Sequence, residues 1–410
     1  MSRQQCLNTL RNSITFQMSL GSKELFHTNF LEWLSIINWD CFLNVLHSLV
    51  GVNCFWWEKT YRPSNNNIEV RREYHHYDLS IYILVENTKP HNGNLPNPKW
   101  RPVFILENKV KSIPYQFQLD NYARKAFDEW EQSYPKKQQI DSWTQKGITF
   151  VLLTLIDQIS INSTPICSKR IGTVTAKWNE CNYQNLSNAV SSEFSKLNGK
   201  EKNIIDDYCT YICALHDLSQ TSEWGVNLND MYQCKIINTL PEEKKLRIAD
   251  IVEKVHHERM LKILEHKLQQ SANLKGNCEH WNKEKEFKGK HYNTGIAFYE
   301  TAFSHGTGVT QVTIIVNDVY RLMIQLQGSQ YRRCVILHSY KRGIGNRMKR
   351  VCDGLNLIWK DYNPQNKYGN LFKYQHELIT AQDTVEDILN KMVQDLDNIY
   401  TNWANLKNLR

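Results

Sequence analysis

The chain has no CxxC pair, no apolar run approaching the length of a membrane span, and no long apolar stretch behind basic residues at its start. The first absence removes the commonest thiol metal motifs. The second predicts no spanning helix and the third no secretory leader, so a cytoplasmic protein is expected by elimination. Internal repeats and long low-complexity tracts are also missing, which excludes solenoids. The eleven cysteines are odd in number and irregularly spaced, the pattern of free thiols in a reducing compartment. Cys209, Cys213 and His216 form the tightest group and share a helix face, but no fourth ligand accompanies them. Helix packing is the expected role there, ahead of zinc.

What is present is enough to build a core. Hydrophobic residues make up 41% of 410 positions, too many for a disordered chain. The length favours two domains or one heavily elaborated one. Lys and Arg exceed Asp and Glu by 50 − 42 = 8. That excess suits a polyanionic partner without requiring one.

Periodicity predicts a helix from Ser22 to Ile37, with Ser22 as N-cap, and a second from Cys41 to Leu49 ended by Gly51. Asn53–Tyr61 reads as β-prone, and Asn67–Val85 as one or two long strands. A Pro- and Asn-rich loop at Asn87–Lys99 precedes an apolar strand, Val103–Val110. Pro114 opens a helix to Gln132, and Ile148–Ile156 reads as a buried central strand. The predicted class is α/β, a mixed central sheet flanked by helices over residues 1–185. Residues 186–290 read as a helical region and linker, with a long charged helix from Pro241 to Leu274 and a polar stretch over Lys275–Lys290. Residues 291–410 read as an α+β region: four strands joined by hairpins, then helices near Ile344–Leu355 and Thr384–Leu406.

Two acidic residues stand out against this pattern. Asp78 opens the strand-like DLSIYI, and Glu107 lies inside the apolar strand VFILENKV, with Lys109 two places on. Strand geometry sends Glu107 and Lys109 to one side and the Asn108 side chain to the other. Carboxylates that converge from two strands repel unless a cation lies between them. Magnesium accepts such a pair plus a backbone carbonyl, here that of Asn108, and keeps several waters. It would lower the pKa of a bound water, and Lys109 could orient that water or stabilise developing charge. The competing reading is a structural ion pair of Asp78 and Glu107 with Lys109 or Arg72.

Asp78 followed by Glu107-Asn108-Lys109, at a spacing of 107 − 78 = 29, resembles the PD-(D/E)XK nuclease signature. Gln118 and Tyr122 resemble the QxxxY motif of RecB-like members of that superfamily, and the stretch Glu24–Leu34 resembles the first helix of a bacterial subgroup. The likeness covers roughly residues 20–160 and implies a restriction-endonuclease-like core. It further implies Mg2+ or Mn2+ held by Glu24, Asp78, Glu107 and the Asn108 carbonyl. Lys109 and Gln118 would join Asp78 and Glu107 in catalysis, and Tyr122 and His27 would contact substrate. Glu24 also suits the helix dipole, and His27 would also fit a simple packing role. Tyr77 stands where the signature has Pro, and the loop before Glu107 is long.

The implied activity is hydrolysis of phosphodiesters, in DNA by preference, in bacterial defence against foreign DNA. An RNA nuclease and a non-catalytic binding module on the same scaffold remain open. The C-terminal region would supply substrate selection or a surface for a protein partner or self-association. Its basic cluster, Lys341, Arg342, Arg347, Lys349 and Arg350, reads either as a phosphate contact or as a solvated helix face. His75 and His76 read as structural.

Overall fold

The structure, a computed structural model, describes residues 1–86, 99–110, 116–132, 147–155, 164–168, 172–237, 240–280, 287–288, 291–292, 294–304, 307–338, 344–364 and 371–409. The architecture is mixed α/β, with two mixed sheets flanked by helices, as the sequence pattern predicts. The chain forms two compact units whose main boundary falls between Thr221 and Ser222. The helices just after residue 182 pack into the first unit, and the charged helix after residue 240 into the second.

The first unit opens with α1 (Arg3–Asn12), α2 (Ile14–Ser19), α3 (Lys23–Ile37) and α4 (Trp39–Val50). The sequence pattern did not reveal α1 and α2, although both carry a serine cap: Ser2 caps α1 through a reciprocal bond with Gln5, and Ser13 caps α2. Asp207 secures the start of α2, accepting from Ser13 Oγ at 3.0 Å and from Thr15 N and Oγ1, both at 2.8 Å. Ser22 occupies the N-cap position of α3 but makes no side-chain cap bond. Gly51, at φ 73°, ends α4 in the left-handed conformation that glycine adopts without strain.

Asn53–Tyr61 is not a strand. It folds into turns in which Phe55 stacks on Trp57 at 5.2 Å and Glu58 accepts from Phe55 N at 2.9 Å, so its aromatics fill the core through local turn contacts.

Strands β1 (Ile68–Tyr74), β2 (Tyr77–Glu86) and β3 (Lys99–Lys109) form an antiparallel set. The β1–β2 turn is His75-His76, both left-handed at φ 57° and 72°, which matches the primed turns that two-residue hairpins favour. Their role is thus in the hairpin, as expected. Helix α5 (Gln116–Gln132) crosses over to β4 (Thr149–Thr154), parallel to β3; Pro114 and residues 87–98 of the long loop lie outside the described residues. A small hairpin, β5 (Thr164–Ser168) and β6 (Gly172–Ala176), precedes β7 (Trp178–Asn182), which adds in parallel to β4. The sheet order is β1-β2-β3-β4-β7. Strands β3 and β4, covered on both faces, are the near-continuous apolar runs that a buried parallel pair requires. Helices α6 (Tyr183–Glu193) and α7 (Lys200–Ser219) complete the unit.

In the second unit the predicted long helix is two: α8 (Pro241–Lys245) and α9 (Ala249–Gln270), broken where Arg247 takes φ 59°. The stretch expected as linker contributes β8 (Cys278–His280), with two-residue strands β9 (Phe287–Lys288) and β10 (His291–Tyr292) pairing after it. The four predicted hairpin strands are β11 (Ala297–Ser304), β12 (Thr307–Ile315), β13 (Tyr320–Gln327) and β14 (Gln330–Leu337). Helix α10 (Ile344–Leu355) follows, then the unpredicted β15 (Phe372–Leu378), α11 (Val385–Thr401) and α12 (Trp403–Lys407). The sheet order is β15-β14-β13-β12-β11-β8, antiparallel except for β8 beside β11.

Three histidines of this unit are held neutral. Burial pushes His256 down to about 3 and His257 and His338 to about 4. A depressed base contributes stability that is intact above its unfolded value near 6.5 and is lost as pH falls below it. Each of these histidines adds a loss of up to about 1.4 kcal/mol per pH unit below that point. The melting transition of the second unit should therefore fall steeply between pH 6.5 and 4.5 yet stay level between 7 and 8. A flat acid limb in calorimetry would contradict the buried placement.

Candidate active site

Strand pairing sets the geometry. Leu79 lies opposite Leu106 in the β2–β3 register, which brings Asp78 across from Glu107. Asp78 Oδ2 accepts from the Asn108 main-chain N–H at 2.6 Å, tying the two acidic strands at that point. Glu107 is only 1% exposed. Its Oε1 accepts from Lys109 Nζ at 2.6 Å and from Gln118 Nε2 at 3.0 Å. Its Oε2 is buried and has no hydrogen-bond partner among the described residues. Gln118 also donates to Tyr122 Oη at 2.9 Å, so the two α5 residues at i and i+4 act as one support on Glu107.

The electrostatics follow from burial. Desolvation, then the nearby Asp78 carboxylate, pushes Glu107 up to about 8, with Lys109 working the other way. Burial pushes Asp78 up to about 6, opposed by the Asn108 amide and Lys109. Burial disfavours the Lys109 charge, but Glu107, Asp78 and Glu24 together push it up to about 12. The acidic groups feel one another and share one lysine, which leaves an excess of negative charge when both are ionised.

Asn108 divides its groups as strand geometry predicts. The main chain serves Asp78, while the side chain turns away: Nδ2 donates to the Glu24 main-chain oxygen at 3.0 Å, and Oδ1 accepts from Tyr183 Oη. The Glu24 backbone, in the first turn of α3, thus lies behind β3, while its charge still acts on Glu107. Among the described residues, however, no three His, Cys, Asp or Glu side chains converge as a metal-ligand group. That includes Cys209, Cys213 and His216, of which Cys209 and His216 are buried in α7.

His27 is a correction. It is fully buried, with Nδ1 2.9 Å from Tyr208 Oη and Nε2 3.2 Å from Tyr211 Oη. Burial lowers its pKa to about 3. Both ring nitrogens are occupied, so His27 has no atom to offer a substrate. Of the competing pairings, Arg72 bonds Glu32 and Asn29 on α3. In the second unit, Arg347, Lys349 and Arg350 lie on α10, the last two exposed, whereas Lys341 and Arg342 fall outside the described residues.

Compared with models of known families, with curated proteins and with solved structures, the chain matches none. The site is therefore argued from its own atoms. A buried carboxylate oxygen without a donor, beside a second carboxylate, is an arrangement that a hard cation satisfies. Asp78, Glu107 and the Asn108 carbonyl supply oxygens only, which suits Mg2+ or Mn2+ better than zinc.

A cation placed here would have to displace the proton that burial and the Asp78 charge favour on Glu107. Without metal, the raised carboxyls contribute stability that is present below about pH 4.5 and lost as pH rises through about 8. The Mg2+-induced rise in melting temperature should accordingly be larger at pH 8 than at pH 6. A shift that is the same at both values would remove these carboxylates from the binding site.

Proposed function

We propose that the chain is a magnesium- or manganese-dependent nuclease that hydrolyses phosphodiester bonds in DNA. The observation that carries this reading is the buried Glu107 Oε2, without a donor among the described residues, set beside Asp78 on the neighbouring strand and two residues from Lys109. Asp78, Glu107 and the Asn108 carbonyl would hold the metal, which when bound lowers the pKa of a water and offsets charge on a phosphoryl oxygen. Lys109, kept charged by its acidic neighbours, orients the attacking water and stabilises charge developing on the phosphate. Gln118 fixes the Glu107 carboxylate, and Tyr122 fixes Gln118. The order α3, α4, three antiparallel strands, α5 and a parallel strand supports the likeness to the restriction-endonuclease core. The net positive charge favours a polyanion. A cytoplasmic role in bacterial defence against foreign DNA belongs to the same reading.

Among the described residues no helix is long and apolar enough to cross a membrane, consistent with a partner in solution. The test is incubation with plasmid, linear and single-stranded DNA and with RNA, each with Mg2+ or Mn2+. Metal-dependent cleavage of DNA supports the proposal. Cleavage of RNA alone would move the substrate class, and no cleavage of any substrate would leave a binding module on this scaffold.

A further inference from the structure

We propose that Tyr183 is a positioning residue for this site, fixing Asn108 so that its main-chain N–H holds Asp78 opposite Glu107; the inference rests on the metal-site reading above. Asn108 is the middle residue of Glu-Asn-Lys, and its side chain lies on the far side of β3 from the acidic pair. There it is clamped between Tyr183 Oη and the Glu24 main-chain oxygen. On the near side, its N–H bonds Asp78 Oδ2 at 2.6 Å. A rotation of this one residue would therefore release Asp78, and the two side-chain bonds oppose that rotation.

The sheet explains how a residue so distant in sequence arrives there. Asn108 pairs with Leu153, and Leu153 with Cys181, across the parallel strands β3, β4 and β7. Tyr183, two positions beyond Cys181, is the first residue of α6, which Asn182 caps. The C-terminal ends of β3 and β7 are thus level, and the start of α6 falls beside Asn108. Tyr183 is itself fully buried, and the His27 ring packs on it at 4.8 Å. His27 in turn is held between Tyr208 and Tyr211 on α7. The brace on Asn108 is the Tyr183 hydroxyl itself, and the His27 cluster packs against its ring.

The brace predicts a difference between two hydroxyl deletions in the same cluster. Tyr183→Phe removes the bond to Asn108. Tyr211→Phe removes a hydroxyl that bonds His27 and Ser19 and does not reach Asn108. Amide hydrogen exchange at residue 108 should quicken by about tenfold or more in Tyr183→Phe and stay at the wild-type rate in Tyr211→Phe. Asn108→Ala cuts the same bond from its other end, so the Tyr183→Phe, Asn108→Ala double variant should exchange at position 108 no faster than Asn108→Ala alone. Equal acceleration in both tyrosine variants, or none in Tyr183→Phe, overturns the positioning role.

Calorimetric titration with Mn2+ supplies the second readout. Affinity should weaken by about tenfold or more in Tyr183→Phe and be unchanged in Tyr211→Phe. A wild-type protein that takes up no Mn2+ would defeat the metal reading of the site, while the exchange measurement would still decide the brace.

Discussion

Alanine at Glu107 and Lys109 together should stop metal-dependent cleavage, with a rate lower by about a thousandfold or more. In the proposed site Glu107 would supply a metal-binding oxygen, and Lys109 lies 2.6 Å from its Oε1. The other side chain on Oε1, Gln118, is neutral, and Asp78 is engaged by the Asn108 amide. The gentler Glu107→Gln keeps the shape and the Oε1-side acceptor but removes the charge that a cation needs. It should lose the Mg2+-dependent rise in melting temperature while remaining folded. Its metal-free fold should tolerate the change, since burial already disfavours the Glu107 charge near neutral pH. Cleavage that survives the double substitution would mean that the reaction, if present, occurs elsewhere in the molecule.

Gly308→Ala should produce the largest structural effect, a destabilisation of about 1–3 kcal/mol or more. A Cβ at Gly308 would lie 2.3 Å from His257 Cδ2 and 2.9 Å from Nε2. The ring has little room to yield. His257 is buried on α9, with Nδ1 2.9 Å from Thr310 Oγ1, and the Gly308 N–H donates to Glu253 Oε2 at 3.0 Å. The helix is therefore held against β12 at the very place where the added methyl would enter. For a unit of this size the loss should lower the melting temperature by several degrees. Removing the ring as well, in Gly308→Ala with His257→Ala, should cost less than the two single changes summed. Full additivity would show that the close approach is not what the glycine serves.

The sequence was most informative where a residue's neighbours were near in the chain. Glu107 and Lys109 could be paired on one face of β3 because strand alternation is local, and Gln118 and Tyr122 because helical spacing is. The convergence of Asp78 with Glu107 needed only the expectation that two successive strands pair. The errors have equally specific causes. The aromatics of Asn53–Tyr61 look like strand residues, but their stacking and the Glu58 bond to Phe55 make a turn. The pattern over Pro241–Leu274 carries no glycine or proline at the point where Arg247 breaks the helix. His27 shares a helical face with Glu24 in a wheel diagram, yet Tyr208 and Tyr211, far along the chain, take both its nitrogens. Tyr183 was illegible for the same reason: nothing near it in sequence points to residue 108.

That separation has a consequence for a chain emerging from the ribosome. The strands that bear Asp78 and Glu107 are synthesised one after the other and can pair early, whereas the hydroxyl that steadies Asn108 arrives 75 residues later. Until α6 docks, a nascent or prematurely terminated product carries the acidic residues without the support that sets their spacing. If the proposed metal site holds, fragments ending before residue 183 would bind the ion more weakly than the complete first unit.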